Sequence, residues 1–214
     1  MKNHQLFNIS IVIPVRNNSE LLSSVLLGIK GQFLAPNEVI IVDSSTDNAV
    51  YELTNDFDSD VPIIYHREKK TYPGEARNIG VDLANSDWIA FLDSKTIPNE
   101  DWLERYQHLV QAYGADVVFG VTQFDASTSF QKVLRAVSYG KIGHHTVPGI
   151  LIKKNVFIDS GGFLEHVRMG EDIEWRERLM RSGINIHRPE EPVVTYNGLP
   201  DNFSSTVKKY LTSA

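Results

Sequence analysis

The most constraining feature of this chain is a pair of short β-branched runs separated by about one helix of sequence. Ile9-Ser10-Ile11-Val12-Ile13-Pro14 and Glu38-Val39-Ile40-Ile41-Val42-Asp43 are too apolar for loops and too short for buried helices, so both read as buried strands. Between them, Leu21, Leu22, Val25, Leu26 and Ile29 share one face of a helix over Glu20–Lys30. Asn17-Asn18-Ser19 offers capping side chains before that helix, and Gly31 stands where a C-cap is expected. Strands joined through helices form parallel sheets with crossover connections. The alternation continues with a helix over Asn48–Phe57, a strand over Val61–Tyr65, and a helix opening at Pro73-Gly74-Glu75-Ala76 with Ala76, Ile79, Gly80 and Leu83 at helical spacing. A strand over Trp88–Leu92 follows, then a helix over Asp101–Tyr113 with Trp102, Tyr106, Leu109 and Tyr113 as its inner stripe, and a strand over Val117–Val121. Beyond Gln123 the pattern loosens: a helix over Phe130–Tyr139, a loop over Gly140–Pro148, a strand over Gly149–Lys153, and helices over Asn155–Ser160 and Asp172–Arg181. The expectation is an α/β fold with a mostly parallel central sheet flanked by helices, read as one domain over residues 1–214.

Composition narrows the function. Asp and Glu total 27 against 21 Lys and Arg, a net charge of −6, which weighs against a dedicated nucleic-acid binder. The absence of cysteine excludes disulfides, thiolate metal sites and a Cys nucleophile. No apolar run approaches the roughly 20 residues of a membrane span. Met1-Lys2-Asn3-His4-Gln5 lacks the apolar core of a secretory signal, so a cytoplasmic location is expected.

In an open parallel sheet, ligands bind beyond the carboxyl ends of the strands. Three polar segments fall there: Pro14-Val15-Arg16-Asn17, Asp43-Ser44-Ser45 and Asp93-Ser94-Lys95. Asp43 either accepts hydrogen bonds from a base or ribose or caps its own turn. Arg77, in the first turns of its helix, either binds phosphate through its planar donors or pairs with Glu75 or Asp82. His144 and His145 are adjacent, so an extended backbone points them opposite ways and disfavours shared ligation of one ion.

Taken together, these segments resemble the family-2 glycosyltransferases with the GT-A fold. Ile11-Val12-Ile13-Pro14-Val15-Arg16-Asn17 is similar to that family's opening strand and nucleotide-contacting turn. Glu38–Asp43 with Ser44-Ser45 resembles its second strand and nucleoside-binding Asp. Gly74-Glu75-Ala76-Arg77-Asn78 resembles its Ala-Arg-Asn helix start, and Phe91-Leu92-Asp93-Ser94-Lys95 stands where the family carries Asp-x-Asp. Gly170-Glu171-Asp172-Ile173-Glu174-Trp175 resembles its Glu-Asp pair near the acceptor.

The resemblance implies transfer of a sugar from a nucleotide-diphosphate sugar to an acceptor hydroxyl with inversion, Asp172 serving as general base. Residues of about 1–122 would bind the nucleotide and about 123–214 the acceptor. Pro14, Val15, Arg16, Asp43, Arg77, Asp93, Ser94 and Lys95 would contact the donor, and Glu171 and Trp175 the acceptor. The donor implied first is a UDP-sugar, and the acceptor a carbohydrate or a lipid-linked sugar. The family's motif implies Mn²⁺ or Mg²⁺ at Asp93, but Lys95 occupies the second acidic position, and a cation does not ligate a cation. Three readings stay open: Lys95 replaces the metal at the diphosphate, a metal binds through Asp93 and other groups, or donor chemistry is lost and the domain only binds. A nucleotidyltransferase is the further alternative, disfavoured by the late Glu-Asp pair and the lack of a Gly-rich triphosphate loop. At the end of the chain, Asn202–Leu211 reads as a short amphipathic helix that either packs on the sheet or, with Lys208 and Lys209, touches a membrane surface.

Overall fold

The computed structural model describes residues 7–140 and 143–207. In chain order its strands and helices are β1 (Ile9–Val15), α1 (Ser19–Lys30), β2 (Glu38–Asp43), α2 (Ala49–Asp56), β3 (Ile63–Arg67), α3 (Pro73–Leu83), β4 (Trp88–Phe91) and β5 (Thr96–Pro98). Then follow α4 (Trp102–Tyr113), β6 (Val117–Phe124), α5 (Ser129–Ser138), β7 (His144–Lys153), α6 (Lys154–Asp159), α7 (Glu171–Arg181), β8 (Ile186–His187) and β9 (Val194–Tyr196).

The described strands form one nine-stranded sheet in the order β3-β2-β1-β4-β7-β6-β9-β5, with β8 beside β6. β1 pairs in parallel with both β2 and β4, and β2 with β3, as crossover helices require. β7 then inserts antiparallel between β4 and β6. The architecture is the expected α/β GT-A arrangement: a mixed, mostly parallel sheet between helical layers.

Alternation along β1 explains why both faces are covered. Ile9, Ile11, Ile13 and Val15 pack with Leu22, Val25, Leu26 and Ile29 of α1 and with Trp102 and Tyr106 of α4. Val12 faces the other way, toward Ala76 and Val81 of α3 and a layer containing Trp175 and Leu179 of α7. Gly80 permits the close approach of α3, since a methyl there would lie 2.3 Å from Val12 Cγ1. Gly120 does the same in the sheet, beside a register shift in β6, where a methyl would meet the Pro148 carbonyl oxygen at 2.1 Å.

Several local expectations are corrected. Asn18 occupies the N-cap of α1 without capping it, because its amide donates instead to the Ser94 carbonyl and hydroxyl at 3.0 and 2.9 Å. Tyr113 is 59% exposed and stacks on His187 rather than joining the inner stripe of α4. The stretch expected as a loop up to Pro148 is, from His144 onward, the first half of β7. There His144 pairs with the Tyr139 carbonyl and His145 with the Pro189 carbonyl, so the two rings serve different partners. Phe203, in a helical turn at 203–207, is 73% exposed and does not pack on the sheet. Lys208, Lys209, Tyr210 and Leu211 lie outside the described residues.

Glu38, at the start of β2, is a buried carboxylate that joins three elements. It accepts from the Ser10 hydroxyl at 2.6 Å and from the Asn85 backbone and side-chain amides at 2.6 and 3.1 Å. Burial pushes its carboxyl upward, but those hydrogen bonds and the charge of Lys154 hold it net below the ordinary 4.5. A depressed folded-state value means that the stabilisation is present above 4.5 and is lost as pH falls through the folded value. Glu38→Gln is therefore expected to cost about 1–3 kcal/mol at neutral pH. Urea unfolding at pH 7 and pH 3.5 should show that deficit shrinking in acid.

Candidate active site

The carboxyl ends of β1, β2 and β4 converge on a cleft of about 560 Å³. Pro14, Val15 and Arg16 come from the end of β1, Ser44 from the end of β2, and Asp93, Ser94 and Lys95 from the turn after β4. That turn is closed tightly: the Thr96 hydroxyl accepts from the Asp93 amide at 2.8 Å, and the Thr96 amide donates to the Asp93 carbonyl at 3.0 Å. Asp93 and Lys95 are thereby fixed two residues apart at one rim. The Lys95 stem runs against Gly198, where a methyl would lie 2.7 Å from Lys95 Cδ. Tyr196 completes this wall; burial raises its phenol above the usual 10.0, an effect that Lys95 opposes and Asp93 reinforces.

Part of the cleft lining was missed by sequence reasoning. Lys70, Thr71, Tyr72 and Pro73 supply it from the connection between β3 and α3, and Arg168 and Met169 from the loop before α7. Applying the strand-end rule to β3 as well would have found Lys70. Tyr196 sits in a three-residue strand that carries no periodic signal. With Arg16, Lys70, Lys95 and Arg168 around one carboxylate, Asp93, the cleft favours an anionic ligand.

Arg77 lies behind Asp93 and organises the site. Its side chain is 5% exposed; Nη2 donates to Asp93 Oδ1 at 2.7 Å and Nη1 to Glu171 Oε1 at 3.2 Å. Its partners are thus Asp93 and Glu171, not Glu75 or Asp82. The guanidinium also sits 5.4 Å from the centre of the Phe163 ring. Burial alone would lower its proton affinity, but the charges of Asp93, Glu171 and Asp172 raise it net. Glu171 shows the converse: burial raises its carboxyl above the ordinary value, with Arg77 opposing. Asn78, the next residue, donates to the Phe163 carbonyl and accepts from the Phe163 amide, both at 2.9 Å. Gly74 admits this contact, since a methyl there would lie 2.9 Å from Glu171 Cγ. The Gly-Glu-Ala-Arg-Asn segment therefore fastens the strand-end turn of β4 to the start of α7.

The other expected residues fall as follows. Asp172 follows Glu171 in the first turn of α7, with its side chain 37% exposed and 4.0 Å from Arg176. Neither Asp172 nor Glu171 lines the cleft; Asp172 is linked to Asp93 through its neighbour Glu171, which shares Arg77 with Asp93. Asp43 is fully buried and does not line the cleft; it accepts from the Tyr65 hydroxyl at 2.7 Å, Arg67 at 3.2 Å and the Ser45 amide at 2.8 Å. Trp175 requires a correction. It is 0% exposed, donates to the Ser160 hydroxyl at 3.0 Å and packs against Phe163 at 4.5 Å, so no ring face is open to a sugar. Trp88 and Trp102 are core residues, as their spacing indicates.

The groups around Asp93 do not fit a bridging divalent ion. One of its oxygens is engaged by Arg77, the second acidic position of the motif is Lys95, and no group of three His, Asp or Glu suited to a metal exists among the described residues. No helix of the described residues is long and apolar enough to cross a membrane.

A mixed, mostly parallel α/β sheet with a cationic cleft at the carboxyl ends of its strands fits the GT-A fold of nucleotide-sugar transferases. The family description "Glycosyl transferase family 2" fits residues 10–164, and the chain belongs to that family. It is 24% identical to glycosyltransferase AglE of Haloferax volcanii over 94% of this chain and 70% of that protein. It is 27% identical to the pre-mycofactocin glycosyltransferase of Mycobacterium tuberculosis over 84% of this chain, but spans only 40% of that protein. Among solved structures, S. aureus TarS 1–349 in complex with UDP-GlcNAc superposes with a TM-score of 0.72 at 16% identity, covering 93% of this chain and 61% of TarS 1–349.

Proposed function

We propose that the chain transfers a hexosyl group from a nucleoside-diphosphate sugar to an acceptor hydroxyl with inversion. Residues of about 1–122 hold the nucleotide and about 123–214 shape the acceptor side. The observation carrying this reading is the Arg77 bridge, which ties the donor-side Asp93 to Glu171, next to Asp172. In the reaction the acceptor oxygen forms a bond to the anomeric carbon while the bond from that carbon to the diphosphate oxygen breaks. Asp172 takes the acceptor proton, and the electron pair leaves with the nucleoside diphosphate. Lys95, with Arg16, Lys70 and Arg168 nearby, stabilises the charge growing on the leaving diphosphate, the task given to a metal where the motif has two acids. Pro14, Val15 and Ser94 shape the donor wall, and Asp43 holds the turn that presents Ser44.

The first donor to test is a UDP-sugar, supported by the TarS complexes with UDP-GlcNAc and UDP. A carbohydrate or lipid-linked acceptor fits the family. The experiment is a thermal-shift and turnover screen with UDP-, GDP- and dTDP-sugars, run in parallel on Asp172→Asn. Donor stabilisation is expected to persist in that variant while turnover falls about 10²–10⁴-fold. No stabilisation by any nucleotide would overturn the reading in favour of a silent domain, and unchanged turnover would remove Asp172 from the mechanism.

A further inference from the structure

The course of the Lys95 side chain is set by residues a hundred positions further along the chain. β5 pairs antiparallel with β9, which places Thr96 opposite Tyr196, and the Asn197 amide donates to the Lys95 carbonyl at 2.9 Å. The Tyr196 hydroxyl donates to the Gly198 carbonyl at 3.2 Å, so the chain turns back beside the Lys95 stem. A methyl on Gly198 would lie 2.7 Å from Lys95 Cδ and 2.6 Å from the Tyr196 hydroxyl. Both distances fall well inside the roughly 4 Å of ordinary side-chain contact. Gly198 is not among the glycines with positive φ, so space rather than backbone angle calls for glycine there. Asp93 Oδ1, two residues from Lys95, is taken by Arg77 at 2.7 Å, which leaves packing along the stem to direct the ammonium.

The segment carrying Gly198 is fastened on its far side as well. Gln131 is the buried residue of α5, and both halves of its amide are used. Its oxygen accepts from the Ser127 and Thr128 backbone amides at 2.9 and 3.1 Å. Its nitrogen donates to the Leu199 carbonyl at 2.9 Å and to Asp201 Oδ1 at 2.8 Å. A buried amide paired this fully holds its partners in one arrangement. With β9 fixed at one end and Gln131 at the other, the backbone at 198 has little room to retreat. We propose that Tyr196 and Gly198 are positioning residues, a backstop that keeps the Lys95 ammonium against the diphosphate of the donor. The proposal rests on the diphosphate role given to Lys95 above and adds that residue 198 carries no side chain. Lys95 and Tyr196 line the cleft and Gly198 does not, so a methyl at 198 displaces the lysine without meeting the ligand itself.

The test is calorimetric titration of the full chain with UDP, GDP and dTDP and with the three nucleosides. The parent, Gly198→Ala, Lys95→Ala and the double variant are compared. Gly198→Ala is expected to bind the preferred diphosphate about tenfold more weakly, with nucleoside binding unchanged. In the Lys95→Ala background the same substitution should add less than about twofold, because the group it displaces is gone. Thermal midpoints of Gly198→Ala and the parent should agree within about 3 °C, since the crowded lysine and tyrosine tips can move aside. Gln131→Leu loosens the same stretch from outside the cleft and should weaken diphosphate binding several-fold, which carries the test if Gly198→Ala does not fold. Undiminished diphosphate binding in Gly198→Ala alongside a loss in Lys95→Ala overturns the backstop alone, as does a full further loss in the double variant. Parent-like binding by Lys95→Ala overturns the diphosphate role of Lys95 and the backstop with it. A parent that binds none of the diphosphates overturns the transferase reading as a whole.

Discussion

Arg77→Met is expected to destabilise the protein by about 3–5 kcal/mol, because it leaves a buried carboxylate with no counter-charge. Glu171 is 7% exposed in its side chain and pairs with Arg77, while Asp93 takes the shorter of the two bonds. Methionine fills much of the arginine volume, so a cavity does not account for the loss. The deficit carries a pH signature. Burial already raises the Glu171 carboxyl in the parent, and removing Arg77 removes the charge opposing that rise. Protonation then relieves the cost, so the gap between variant and parent narrows as pH falls from 8 toward 4.5 in guanidinium unfolding series. A gap that is flat across that range would show that the arginine acts through packing on Phe163 alone. Arg77 does not line the cleft and is bonded to Asp93 and Glu171, so its expected effect on turnover is that of a positioning residue acting through them. Arg77→Lys should recover part of the stability and less of the turnover, since an ammonium cannot keep two carboxylates at fixed angles. A misplacement of the order of 1 Å at Asp93 and the start of α7 corresponds to about a 10²-fold loss of turnover.

Lys95→Ala is expected to lower turnover about 10²–10³-fold, the usual effect of removing one charge-stabilising donor from a transition state. Stability should change by no more than about 0.5 kcal/mol, since Lys95 is half-buried at a cleft rim. Parent activity is expected to be the same with and without EDTA. Lys95→Asp should transfer control to the ion: inactive in EDTA and partly restored by Mn²⁺, because it recreates two acids two residues apart in a fixed turn. Strict Mn²⁺ dependence of the parent would sink the assignment of Lys95 to the diphosphate.

These two variants also mark how far the sequence could be read. β1, β2 and β4 were legible because each is a β-branched or aromatic run buried on both faces, and the polar residues where they end pointed to the cleft. β5, β8 and β9 were not, since strands of two or three residues are defined by their partners and carry no pattern of their own. The first half of β7 reads His-His-Thr, polar enough to pass for a loop, and it is a strand only because β6 lies beside it. Arg77 was singled out, but its partners stand 16 and 94 positions away, and no local rule reaches them. Trp175 was the avoidable error: Leu179 follows it at i+4, a core stripe in an otherwise charged helix, and both are buried.

The place of β7 has a consequence for how the protein is made. It arrives late in the chain yet sits between β4 and β6. During synthesis those two earlier strands therefore wait with unpaired backbone edges until residue 153 has left the ribosome. A fragment ending near 122 keeps that gap permanently, and open edges invite pairing with other chains. Residues 1–122 expressed alone should thus collect in the insoluble fraction.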